Sequence, residues 1–177
     1  MLDAGVIWNV VNDRAVLIVL GATVVLAWPL GRWLGRGGLG VVFVVMLGAT
    51  LAVTTTTELP YYSVGGIEFY VSQFARPAHL LAGFASTDER LANIGLFVPL
   101  GAVATLLWRR PIVVVCALAV LSFGIEGWQG FIGRVGEAVD VVHNSAGAFI
   151  GAGVGCIALI SRRRHPGRTL RNGPATE

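Results

Sequence analysis

The sequence predicts an all-α, polytopic membrane bundle of about five transmembrane helices, with the N-terminus outside and the C-terminus inside. Three observations carry this. Hydrophobic residues make up 55% of the 177 residues without counting glycine, and charged residues only 13%, against about 25% in ordinary soluble domains. With a mean hydropathy of +0.74, such a chain is solvated mainly by lipid. Apolar runs of about 20 residues recur along it, each long enough as a helix to cross roughly 30 Å of hydrocarbon. All 13 basic residues are arginines, and they are divided unequally between the two sets of loops that those runs define.

Residues 1–14 are expected to form a short extracytoplasmic segment rather than a cleaved targeting sequence, because the apolar run that follows is too long for a signal-peptide core. The first two spans, Ala15–Leu34 and Leu39–Thr57, make a hairpin within residues 15–57. Val41 to Val45 would suggest a strand in water, but in lipid only helices and closed barrels satisfy every backbone group, and these runs do not alternate as barrel strands must. Residues 58–90 form an extracytoplasmic loop with one or two interfacial helices: Tyr70, Phe74, Leu81 and Phe84 recur at near-helical spacing, interrupted by Pro77. A lid over an outer site is the functional alternative for this loop. Residues 91–160 hold three further spans, Leu91–Trp108, Pro111 to about Gln129, and Asp140–Ile160. Residues 161–177 form a basic tail lying against anionic headgroups.

Orientation follows from the arginines. Arg32, Arg36, Arg109, Arg110, Arg162, Arg163, Arg164, Arg168 and Arg171 fall on one side, and Arg14, Arg76, Arg90 and Arg134 on the other. The nine-arginine side is expected to be cytoplasmic. Trp33, Trp108 and Trp128 mark span ends, as an interfacial aromatic belt requires. This distribution explains the pI of about 9.4 and argues against nucleic acid as a partner. Cys116 and Cys156 lie inside apolar runs and read as small hydrophobes. No cysteine or histidine motif indicates a metal or cofactor.

Polar residues concentrate between the last two spans, from Glu126 to Gly151. At a membrane boundary such groups cost free energy unless paired, hydrated or used. Glu126 and Gln129 share a face of the fourth span, and Glu126 lies inside the apolar stretch. Arg134 in the loop is the partner the sequence suggests for it, with Glu137 nearby. On the fifth span Asp140 and Asn144 share a face that continues through Gly147 and Gly151, with Gly155 beyond, a small-residue ridge for another helix. Asp140 also suits a helix N-cap. The third span contributes Asn93, Phe97, Pro99 and Gly101, with Pro99 expected to kink it. Phe97, Pro99, Gly101, Gly147 and Gly151 thus read as packing positions. Asn93, Glu126, Gln129, Arg134, Glu137, Asp140 and Asn144 read either as a ligand-binding pocket or as a polar clamp between helices.

Taken in order, NxxxFxPxG followed by ExxQxxxxRxxExxDxxxNxxGxxxG resembles the VanZ-like family of bacterial membrane proteins, over Asp88–Gly155. Members often carry aspartate where this chain has Glu137. The resemblance implies a multi-pass protein of the bacterial plasma (inner) membrane, and its founding members are tied to tolerance of the lipoglycopeptide teicoplanin. The implied function is a cell-envelope role in which an outer polar pocket binds a membrane lipid, a cell-wall precursor or a lipoglycopeptide. The alternative is an intramembrane enzyme acting on a lipid-linked substrate, with Glu126 and Asp140 as catalytic carboxylates and His143 beside Asp140. No serine or cysteine stands in a nucleophile motif. A hard cation on Glu137, Asp140 and Asn144 is a lesser variant. A short chain with no mid-depth ionisable residue argues against a transporter, and the sequence does not set an oligomeric state.

Overall fold

The computed structural model describes residues 13–35, 37–55, 66–76, 88–132 and 136–164. Six helices account for most of them: α1 (Arg14–Trp33), α2 (Gly38–Thr55), α3 (Gly66–Gln73), α4 (Asp88–Trp108), α5 (Pro111–Phe131) and α6 (Ala138–Arg164). Five of these, all but α3, are long and apolar enough to cross a membrane. Val24, Val25, Ile112, Val120, Phe149 and Ile157 are all at least 66% exposed, a belt of apolar surface that only lipid would cover without cost.

The spans begin and end within a few residues of the expected positions, except that α6 runs two residues further at its start and four at its end. Asp13 caps α1 by accepting from the Ala15 and Val16 amides, and Pro111 opens α5, where its missing N–H is no loss. Several hydroxyls inside the spans are satisfied locally: Thr50, Thr54 and Thr55 each donate to a carbonyl four residues earlier. Pro99 lies within α4 without ending it.

The core forms where α4, α5 and α6 meet, around Phe97, Leu100, Ala104, Val114, Leu118, Ile125 and Ala148. The α4 and α6 helices run parallel, which the glycine positions show directly. A Cβ on Gly147 would overlap the carbonyl oxygen of Ile94, one on Gly151 that of Val98, and one on Gly155 would lie 2.8 Å from that of Ala102. Gly101 faces back at Ala148 in the same way, 2.6 Å from its carbonyl oxygen. The small-residue ridge of α6 is therefore consumed inside the chain, by α4.

The α1–α2 hairpin closes through Gly31 against Gly40 and Val41, and packs on the core through Phe43, Met46, Leu47 and Leu51 of α2. These contacts bring Arg32, Arg109, Arg110, Arg162 and Arg163 to one end of the bundle. Glu126, Gln129, Glu137 and Asp140 lie at the other.

Candidate functional site

At the polar end, the turn into α6 lies directly on the backbone of α5. A Cβ at Gly136 would overlap the carbonyl oxygen of Glu126, so only glycine permits this approach. The close contact places the first amides of α6 within reach of buried side chains from two other helices. Glu126, 3% exposed, accepts from the Glu137 amide through Oε2 at 3.1 Å. Gln73, at the end of α3, accepts from the Ala138 amide at 3.1 Å and donates to the Gly136 carbonyl at 2.9 Å. A helix start normally leaves these amides unpaired, and here a carboxylate and a carboxamide from outside the helix satisfy them. The negative charge of a carboxylate there also complements the helix dipole.

Asp140 consequently sits in the first turn of α6 rather than at its cap, and its amide donates to the Glu137 carbonyl at 3.0 Å. α3 is itself held against α5. Tyr70 is 1% exposed, its ring packs beside Phe74 and Phe123, and its hydroxyl donates to the Phe123 carbonyl at 3.1 Å. Burial, and secondarily the Glu126 carboxylate, hold the Tyr70 phenol above its ordinary value of 10.0. The sign of the consequence is fixed: the folded chain keeps a proton that the unfolded chain releases as pH rises past 10.0. The contribution of Tyr70 is intact below that pH and declines above it. Unfolding measured across alkaline pH should show this decline, and Tyr70→Phe should remove it.

The remaining polar residues divide among different neighbours. Gln129 turns toward α2 and donates to the Thr54 carbonyl at 2.7 Å, alongside Trp128, whose indole reaches the Thr55 carbonyl at 3.4 Å. Asn144 lies deeper, 2% exposed, and donates to Ser122 Oγ of α5 at 2.9 Å. Its Oδ1 has no hydrogen-bond partner among the described residues. Ser122→Ala would leave both ends of this amide unmatched and is expected to cost about 1–3 kcal/mol. Adding Asn144→Leu should recover much of that, because the buried polar group goes with its partner; denaturant unfolding of the single and double variants checks it.

Among the ionisable groups that still reach the surface are Arg90 of α4, Glu137 in the turn before α6 and Asp140 of α6, with Glu68 and Arg76 exposed on α3 and just after it. Arg90 approaches Glu137 at 4.0 Å, where the Glu137 side chain is 42% exposed. Asp140, 17% exposed, lies 3.9 Å from His143 Nδ1. Asn93 is half-buried on α4, three residues beyond Arg90. Arg134 lies outside the described residues. Among the described residues no three His, Cys, Asp or Glu side chains converge as metal ligands. Sequence reasoning missed Gln73, Ser122 and Arg90 as members of this region. Gln73 carried one signal, since it shares the buried face of α3 with Tyr70 three residues before it.

Fold and site together define a polytopic helical membrane protein in which three core helices, and a short helix laid against them, build one polar end. The chain belongs to the VanZ/LLP1 family, whose model matches residues 41–159, about two thirds of its length. That match begins in α2, so the family region includes a helix that the sequence motifs alone leave unassigned. No curated protein and no solved structure matches the chain.

Proposed function

We propose that this is a multi-pass protein of the bacterial plasma membrane whose polar end faces outward and binds the headgroup of an envelope amphiphile. The reading rests on one observation. Glu126, Gln73 and Gln129 hold backbone groups of neighbouring segments, while Arg90, Glu137 and Asp140 share the partly exposed rim above them, with the buried His143 3.9 Å from Asp140. The clamp and the pocket, which the sequence leaves as alternatives, are then two layers of one region. Outward orientation is supported by the excess of arginine at the opposite end.

A rim carrying the Arg90 guanidinium and the Glu137 and Asp140 carboxylates suits a zwitterionic ligand with phosphate or carboxylate and amide or amine groups. Membrane lipids, lipid-linked cell-wall precursors and lipoglycopeptides such as teicoplanin share that chemistry. Catalysis by Glu126 and Asp140 is less well supported, because Glu126 is 3% exposed and one of its oxygens already accepts from the Glu137 amide.

Native mass spectrometry of the gently extracted full chain tests this. A co-purifying amphiphile is expected on the wild type and is expected to be lost in Arg90→Gln and Asp140→Asn. Thermal stability should be nearly unchanged in Arg90→Gln, since a long, part-exposed ion pair contributes only about 0–1 kcal/mol. An adduct retained at wild-type occupancy in both variants would overturn the proposal.

A further inference from the structure

A recess lies in the arginine-rich half of the bundle, away from the polar end. It is a groove of about 680 Å³ walled by Phe43 and Leu47 of α2, Leu107 and Trp108 of α4, and Val114 and Leu118 of α5. Its origin is in the packing. α2 is joined to α5 at the polar end by the Gln129 and Trp128 hydrogen bonds, and it meets α4 in this half through the edge of Phe43 on Trp108, centroids 4.8 Å apart. Between these points the walls stay apart. Ala117, exposed, and Trp108, 43% exposed, border the opening.

Among the described residues, Arg110 is the one charged residue in the lining, and it stands exposed at the start of α5. Arg109 precedes it in a left-handed conformation, φ 57°, with its amide bonded to the Thr105 carbonyl at 2.8 Å. The Arg110 guanidinium therefore stands where the apolar groove reaches the membrane boundary. The volume falls in the roughly 300–1,000 Å³ range of small-molecule sites. A lining this apolar offers water almost nothing to bond, so hydrocarbon fills it at lower cost.

We infer that this groove binds an anionic phospholipid from the arginine-side leaflet, with one acyl chain between α2, α4 and α5 and the phosphate on Arg110. The two parts of the site select differently. The groove takes any chain of suitable length, and the guanidinium prefers a headgroup with net negative charge, to which it offers paired N–H donors.

Trp108 reports on occupancy directly. The full chain is reconstituted in phosphatidylcholine vesicles containing a minor fraction of either brominated phosphatidylglycerol or brominated phosphatidylcholine. Quenching of Trp108 is isolated by subtracting the Trp108→Phe variant, which keeps an aromatic edge against Phe43. Several-fold stronger quenching by the phosphatidylglycerol is expected at equal mole fraction. Arg110→Gln should bring the two lipids level, and Ala117→Phe, which fills the open side without adding an indole, should reduce both toward the level of randomly mixed lipid. Equal quenching by the two lipids in the wild-type chain would overturn the inference, as would a preference that survives Arg110→Gln. Because the Arg110 side chain is exposed, its variant keeps the test valid even where Ala117→Phe perturbs folding.

Discussion

Gly151→Ala is expected to destabilise the protein by about 1–3 kcal/mol or more, the cost of overpacking a filled core. Gly153→Ala, two residues along the same helix, should be neutral or stabilising by up to about 1 kcal/mol through helix propensity. The added methyl is the same in both; its surroundings decide the sign. At Gly151 it meets the Val98 carbonyl and, at 2.9 Å, the Ala102 amide, which are main-chain atoms of α4. Those atoms cannot move aside without opening the α4–α6 contact that carries the core. At Gly153 nothing lies within 4 Å. Denaturant or thermal unfolding of the two variants in the same detergent makes the comparison. Equal effects would mean that α6 does not pack on α4 through this ridge.

Glu126→Ala should show the second large effect, on the order of 1–3 kcal/mol from orphaning the part-buried Glu137 amide. A truncated side chain on the α5 backbone at this depth also leaves a void, which adds to the loss. Gln73→Ala should cost a comparable amount, since it strands both the Ala138 amide and the Gly136 carbonyl. Both side chains hold the same short turn, so the double variant should lose less than the two single losses added together. A coupling of about 0.5–3 kcal/mol is expected for groups acting through one backbone segment. Strict additivity would show that the turn is fixed by something else.

Much of this architecture was legible because lipid imposes simple rules. Apolar runs of bilayer length gave the five spans, and the glycines at 147, 151 and 155 marked a ridge that does approach another helix closely. The polar end was legible in content but not in arrangement. Gln129 is three residues from Glu126, about 60° around a helix of 3.6 residues per turn, and that is enough for one to face the α6 turn and the other α2. Asn144 lies a turn deeper than Asp140, where Ser122 meets it.

The clamp itself had no local signature. Gln73 reaches an amide 65 residues away, and no periodicity within the 58–90 segment announces that. Asp140 looked like a cap because acidic residues open helices. The helix instead begins earlier, its first amides satisfied by side chains that sequence proximity does not connect. Arg134, the partner suggested for Glu126, lies outside the described residues. Glu126 accepts from a main-chain amide, a partner that any residue but proline at position 137 would supply.

The division of the polar end into a structural layer and a ligand-facing layer is tested most directly by Glu126→Gln. This variant keeps the shape and an acceptor oxygen but removes the charge. In the native mass spectrum it should retain the co-purifying amphiphile at wild-type occupancy while unfolding at lower denaturant than the wild type. Loss of the adduct with unfolding unchanged would contradict the division and make Glu126 itself the ligand-binding group.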